Sequence, residues 1–167
     1  RGLLPFVVAS QAVPVIAIAP ILIIWFGFGM LPKVLVTALL CFFPLVVNAM
    51  AGYASVEREA LNLMESLSAS RRQIFLKVQF PAALPNIFAG LRLAAAASAI
   101  GAIVGEWVGA DKGLGPVIMS ANSAFLTGDI FAAIFYLATM AIALFLLVGL
   151  VERLVIPWYF LTRANRP

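Results

Sequence analysis

Residues 34–56 read VLVTALLCFFPLVVNAMAGYASV, a run without one charged side chain. A helix of about 20 such residues is long enough to cross a hydrocarbon core of about 30 Å. The uncharged stretches Gly2–Pro32 and Ile130–Val151 on either side meet the same requirement. Hydrophobic residues make up 64% of the 167-residue chain and charged residues 11%, against about 45–50% and about 25% in soluble domains. A soluble body of this size has too little interior to hide that much apolar surface. The expectation is an all-α, polytopic membrane helical bundle, one domain over residues 1–167, with four spans visible. The chain opens RGLLPF, with neither Met nor a signal-peptide pattern, and is read as a fragment lacking N-terminal spans. One cysteine, Cys41, and no histidine leave no disulfide framework and no zinc cluster. Cys41 is expected to be an ordinary packed side chain.

The first span is placed at Phe6–Phe28, bent by Pro14 and Pro20, with Gly27, Gly29 and Pro32 closing it in a tight turn at Lys33. The second is placed at Val34–Ala51 and holds Pro44 and Asn48. Asn48 in hydrocarbon needs a partner, and is read as an interhelical hydrogen bond or as a residue facing a pathway. A third helix starts near Pro85, with small residues every four positions at Ala97, Gly101, Gly105 and Gly109, and Ala94, Ser98 and Ala102 beside them. Such a face lets backbones approach closely where no water drives helices together, so this helix is expected at the centre of the bundle. The fourth span, Ile130–Val151, is leucine-rich and expected at the periphery.

Charge sets the expected orientation. With Arg1 in the cytoplasm, four alternating spans put Arg58, Arg71, Arg72, Lys77, Arg153, Arg163 and Arg166 there too, with Arg92 at a helix entrance. Only Lys33 and Lys112 fall on the other side, as the positive-inside rule requires. Segment 53–84 is then cytoplasmic, and it is unlike the rest. Ser55 is positioned to cap a helix carrying Leu61, Met64 and Leu67 at helical spacing. Ser68 or Ser70 permits a break and a new cap, after which Ile74, Phe75 and Val78 gather on one side and Gln73 and Lys77 on another. Pro81 and Pro85 are expected to stop this helix and begin the membrane helix. The segment suits a helix in the headgroup layer, its cations on anionic lipid. It equally suits a docking element whose apolar knobs enter a partner's groove.

The stretch NLMESLSASRRQIFLKVQFP resembles the cytoplasmic EAA loop of ABC importer permeases, whose pattern is Glu-Ala-Ala, three residues, Gly, nine residues, Ile, one residue, Leu-Pro. Asn62, Leu63 and Met64 fall on the first three positions, Ser68 on the glycine, Val78 on the isoleucine, and Phe80 with Pro81 on the last pair. The segments AVPVIAIAPILIIWFGFGMLPKVLV, CFFPLVVNAM and GAIVGEWVGADKGLG are similar to the nitrate/taurine/sulfonate branch of that family. WFGFG, CFFP and GEWVGA look most like permeases for pyrimidine precursors of thiamine, with riboflavin-type and sulfonate permeases near. The resemblance implies a non-catalytic plasma-membrane subunit, in the inner membrane of a Gram-negative cell. It implies a second permease copy, cytoplasmic ATP-binding subunits carrying ATP and Mg, and an extracytoplasmic solute-binding protein. ATPase coupling would fall on Asn62, Leu63, Met64, Leu67, Ser68, Arg71, Arg72, Ile74, Phe75, Val78 and Pro81. The chain itself has no GxxxxGK[ST] loop, no cofactor is expected on it, and no nucleic-acid partner.

Candidate pathway or gate residues are Asn48, Ser98, Gly101, Gly105, Glu106 and Trp107. Arg92 and Glu106 lie about 21 Å apart along one helix, so at least one approaches the membrane interior. Arg92 is read as an anchor at the cytoplasmic edge that snorkels, and Glu106 as paired locally or lining an outer gate. Trp107 is an interfacial belt residue or a stacking surface. GPVIMSANSAF is expected to form a short re-entrant or surface helix. A secondary transporter or channel fragment working without an ATPase is the rival reading. A membrane enzyme ranks below it, because the chain lacks histidine, the commonest general base.

Overall fold

The computed structural model describes residues 14–159. Three of its helices are long and apolar enough to cross a membrane, and the chain folds as an all-α bundle around the third of the expected spans. The first helix, α1 (Val15–Phe26), follows Pro14 in extended backbone and carries Pro20 within it. Its 12 residues rise about 18 Å, less than a full crossing, and the expected start at Phe6 lies outside the described residues. Gly27 (φ 76°) and Gly29 (φ 150°) turn the chain over in conformations that side chains oppose.

Helix α2 (Met30–Ala54) starts a turn earlier than expected. Pro32 and Lys33 belong to its first turn rather than to the preceding loop, because a proline there forfeits no helical hydrogen bond. After α2 come two short pieces, α3 (Arg58–Ser66) and α4 (Arg71–Ile74), then a π-helical turn (Phe75–Gln79) leading into α5 (Phe80–Trp107). Helix α6 (Leu114–Ser123) fills the expected short helix, and α7 (Thr127–Val155) is followed, after Ile156, by helical residues 157–159 that end the described chain.

Helices α2 and α5 run antiparallel, and glycine fixes their separation. A Cβ at Gly101 would stand 2.8 Å from Thr37 Cα, at Gly105 3.0 Å from Lys33 Cα, and at Gly90 3.1 Å from Leu45 Cα. At the other end Gly52 of α2 presses on Ala83, where a Cβ would lie 2.9 Å from the carbonyl oxygen. The small-residue stripe therefore works as a backbone-to-backbone seam. Cys41 sits in that seam, half-buried, its Sγ 3.2 Å from the Ala94 carbonyl. Ala19, Leu22, Val36 and Val104 join α1, α2 and α5 in one apolar cluster. Helix α7 is peripheral, as expected: only Ala133 and Glu152 of it are buried.

Candidate functional site

The segment between α2 and α4 is an elbow built from two complementary helix ends. Ser55 does not cap α3. It ends α2, its hydroxyl donating to the Gly52 carbonyl at 2.8 Å, and Glu57 takes the N-cap of α3 without a side-chain bond. At the far end of α3, Ser68 N–H donates to the Glu65 carbonyl at 2.9 Å and Ala69 N–H to the Met64 carbonyl at 3.0 Å. Ser68 itself holds φ 55°. This two-bond ending requires a left-handed residue at that place, ordinarily glycine, and Ser68 stands on the glycine of the EAA pattern. The next helix begins two residues later. Ser70 N–H donates to Gln73 Oε1 at 2.8 Å and Gln73 N–H to Ser70 Oγ at 3.3 Å, a reciprocal cap.

Asn62, Leu63, Leu67, Ser68, Arg71 and Arg72 are exposed on the elbow, while Met64, Ile74, Val78 and Pro81 are half-buried. Phe75 does not share one free patch with Ile74 and Val78. Its ring stacks on Tyr53 of α2 at 5.8 Å and meets Phe80 at 6.1 Å. The exposed apolar side chains of the elbow are Leu63, Leu67 and Leu76, with Phe75 and Phe80 less exposed beside them. Leu76 and Tyr53 were missed by pattern reading, because π winding changes which side chains share a face.

The expected break at Pro81 does not occur. Backbone from Arg71 to Trp107 is one uninterrupted 37-residue helix, about 55 Å long. In an α register Pro81 would lose a bond and press its ring on the Lys77 carbonyl. The π turn widens the helix just before it, with Phe80 N–H reaching the Phe75 carbonyl, and so admits the proline.

Glu106 and Trp107 end this rod. Glu106 Oε2 accepts from Gly115 N–H at 2.7 Å, so the carboxylate of one helix caps the first turn of α6. Glycine at 113 (φ 135°) and 115 makes room, since a Cβ at either would lie 2.5–2.7 Å from Glu106 atoms. Glu106 and Trp107 also border an open cavity of about 800 Å³ with Phe28, Asp111, Met119 and Ser120. Ser98 borders another, of about 430 Å³, between α5 and α7, its hydroxyl donating to the Ala95 carbonyl at 2.7 Å. Gly101 and Gly105 lie buried in the α2–α5 seam. Among the described residues Asn48 makes no interhelical bond: its Nδ2 donates to the Pro44 carbonyl of its own helix at 2.8 Å, while its Cβ fills the space left by Gly90. Arg92 does not stand alone at a membrane edge but pairs with Glu152 of α7, a partner the sequence reading passed over. Among the described residues no cluster of acidic or cysteine side chains gathers to hold a metal ion.

Long apolar helices packed on glycine, interrupted by one capped, amphipathic elbow, define a multi-pass membrane protein. The chain matches, over residues 1–160, the family described as binding-protein-dependent transport system inner membrane component, and it belongs to that family. It is 41% identical over 158 residues to the formylaminopyrimidine transport permease protein ThiX of Halalkalibacterium halodurans, covering 95% of this chain and 63% of that one. To the riboflavin transport system permease protein RibX of Chloroflexus aurantiacus it is 42% identical over 158 residues, covering 95% and 59%. To the taurine transport system permease protein TauC of Escherichia coli it is 34% identical over 160 residues, covering 95% and 58%. The chain thus spans about three fifths of the length of these curated relatives.

Proposed function

We propose that this chain is the membrane-spanning subunit of an ATP-driven, binding-protein-dependent importer, and that its elbow receives the push of a separate ATPase. One observation carries the reading. The capped elbow presents Leu63, Leu67 and Leu76 beside Arg71 and Arg72, and it continues without a break into the packed helix α5. A partner gripping the elbow would move a single rod that ends at Glu106 and the first turn of α6. The weight of Lys and Arg puts the elbow on the cytoplasmic side, where ATP and Mg would bind the partner subunit. A second permease copy and an extracytoplasmic solute-binding protein complete the assembly. Asn48, Ser98, Glu106 and Trp107 are the side chains proposed to border the solute's route, with Gly101 and Gly105 setting the helix spacing behind it.

The proposed cargo is a planar nitrogen heterocycle of the pyrimidine or flavin kind. Identity to the formylaminopyrimidine and riboflavin permeases, 41% and 42%, exceeds the 34% to the taurine permease. The test is co-purification of the full-length protein with an ATP-binding subunit from its own cells. R71E/R72E, and separately L67D, are expected to reduce the recovered ATPase at least about tenfold, the loss typical of a disrupted interfacial cluster. Undiminished recovery, or uptake that persists on an ion gradient after ATP depletion, sinks the proposal in favour of a secondary transporter.

A further inference from the structure

We propose that Arg92 and Glu152 form a latch at the cytoplasmic edge of the bundle that seats α7 on α5 and makes the two helices move as one body. The difficulty this solves is visible in α7 itself. Of its 29 residues only Ala133 and Glu152 are buried, and Phe131, Phe135, Met140, Leu146, Leu150 and Leu154 are exposed. Between such a helix and lipid tails, apolar side chains give little reason to prefer one rotation of α7 over another. A charge supplies that reason.

Glu152 is 6% exposed, and its carboxylate meets the Arg92 guanidinium in an ion pair. Three residues on one face of α7 enclose that guanidinium. Phe145 places its ring centroid 5.6 Å from Arg92 Cζ, near enough for a cation–π contact. Gly149 leaves the space: a Cβ there would stand 3.1 Å from Arg92 Nη2. Glu152, one turn on, closes the grip. Neither Arg92 Nε nor Glu152 Oε2 has a hydrogen bond in addition to this ionic contact among the described residues, so each charge depends on the other. Arg153 borders the small cavity beside the pair, of about 220 Å³, together with Arg92 and Leu146. Among the described residues no acid lines that cavity. Turning α7 by one residue, about 100°, would carry Glu152 away from Arg92 and separate a buried carboxylate from its cation. The pair therefore fixes the rotation of α7 as well as its attachment.

The experiment uses the full-length protein in native membranes, with C41S as background and a cysteine pair at Ala99 and Leu144, which border one cavity between α5 and α7. A short bifunctional thiol reagent joins the two helices in the parent. R92Q and E152Q are each expected to lower crosslinking at least about tenfold, and R92E/E152R to restore it to within about twofold. Cys41, kept in parallel preparations without the engineered pair, reports the α2–α5 seam by its maleimide labelling rate, which is expected to stay at the parent value. Single variants that crosslink like the parent overturn the latch. So does an exchanged pair that fails to restore crosslinking while Cys41 stays protected. If the single variants do not insert, the exchanged pair decides: parent-level crosslinking supports the latch, and its loss overturns it.

Discussion

Ser68 offers the sharpest test of the elbow, because one backbone angle makes a graded forecast. Its φ of 55° lies in the left-handed region, where an L-residue with a side chain loses roughly 1–2 kcal/mol. Glycine is free of that loss, but it gives back part of the gain through the larger entropy of its unfolded chain. A net of about 0.5–1 kcal/mol should remain in favour of S68G, a shift of roughly two- to fivefold in local opening. S68N should fall between, since asparagine tolerates the left-handed region better than most. S68V should open more than the parent, its branched side chain being the poorest fit to that angle. Hydrogen exchange in lipid nanodiscs reads this directly at two amides, those of Ser68 and Ala69, which donate to the Glu65 and Met64 carbonyls. Exchange should slow in the order valine, serine, asparagine, glycine. Equal rates across the series, or a glycine variant that exchanges faster than the parent, would refute the assignment of a left-handed C-terminal cap.

Two further perturbations test the seam and the outer cap. G101A and G128A should shift thermal stability in opposite directions. Alanine improves helix propensity by up to about 1 kcal/mol at either site, but at Gly101 its Cβ would meet Thr37 Cα at 2.8 Å, whereas at Gly128 nothing lies within 4 Å. Overpacking against backbone costs about 1–3 kcal/mol, so G101A should melt lower and G128A equal or higher; a G101A protein that melts higher would sink the close-seam argument. At the outer end, E106A should speed exchange of the Gly115 amide by roughly tenfold or more, the loss of a charge-assisted bond worth about 1.5–3 kcal/mol. E106Q, which keeps an acceptor oxygen, should do so less, and similar exchange in all three proteins would show that the carboxylate does not hold α6.

The contrast between what pattern reading recovered and what it missed follows the reach of the forces involved. Three of the four expected spans, the central place of α5 and the peripheral place of α7 were legible, because hydropathy and side-chain size act locally and repeat along the helix. Ser70 was legible for the same reason: a cap and its Gln73 partner lie three residues apart. Pro81 misled, since a proline's effect depends on whether the preceding turn can widen, and no residue in FLKVQ announces a π turn. Asn48 misled because its own helix offered an acceptor at Pro44 before any neighbour did.

Two pairings made by the few charges on the long helices were beyond local pattern altogether. Arg92 and Glu152 meet only after α7 has folded back beside α5, and Glu106 meets Gly115 only after the intervening loop closes. Both use a glycine, Gly149 or Gly115, as the space for the partner's side chain. Arg92, which the sequence suggests as an anchor at the cytoplasmic edge, and Glu106, which it suggests as locally paired or at an outer gate, are each a joint between helices in three dimensions. The rod from Arg71 to Trp107 is thereby fastened near its middle to α7 and at its end to α6. A push delivered at the elbow would reach both helices through charged contacts, which resist sliding in lipid where apolar packing alone would not.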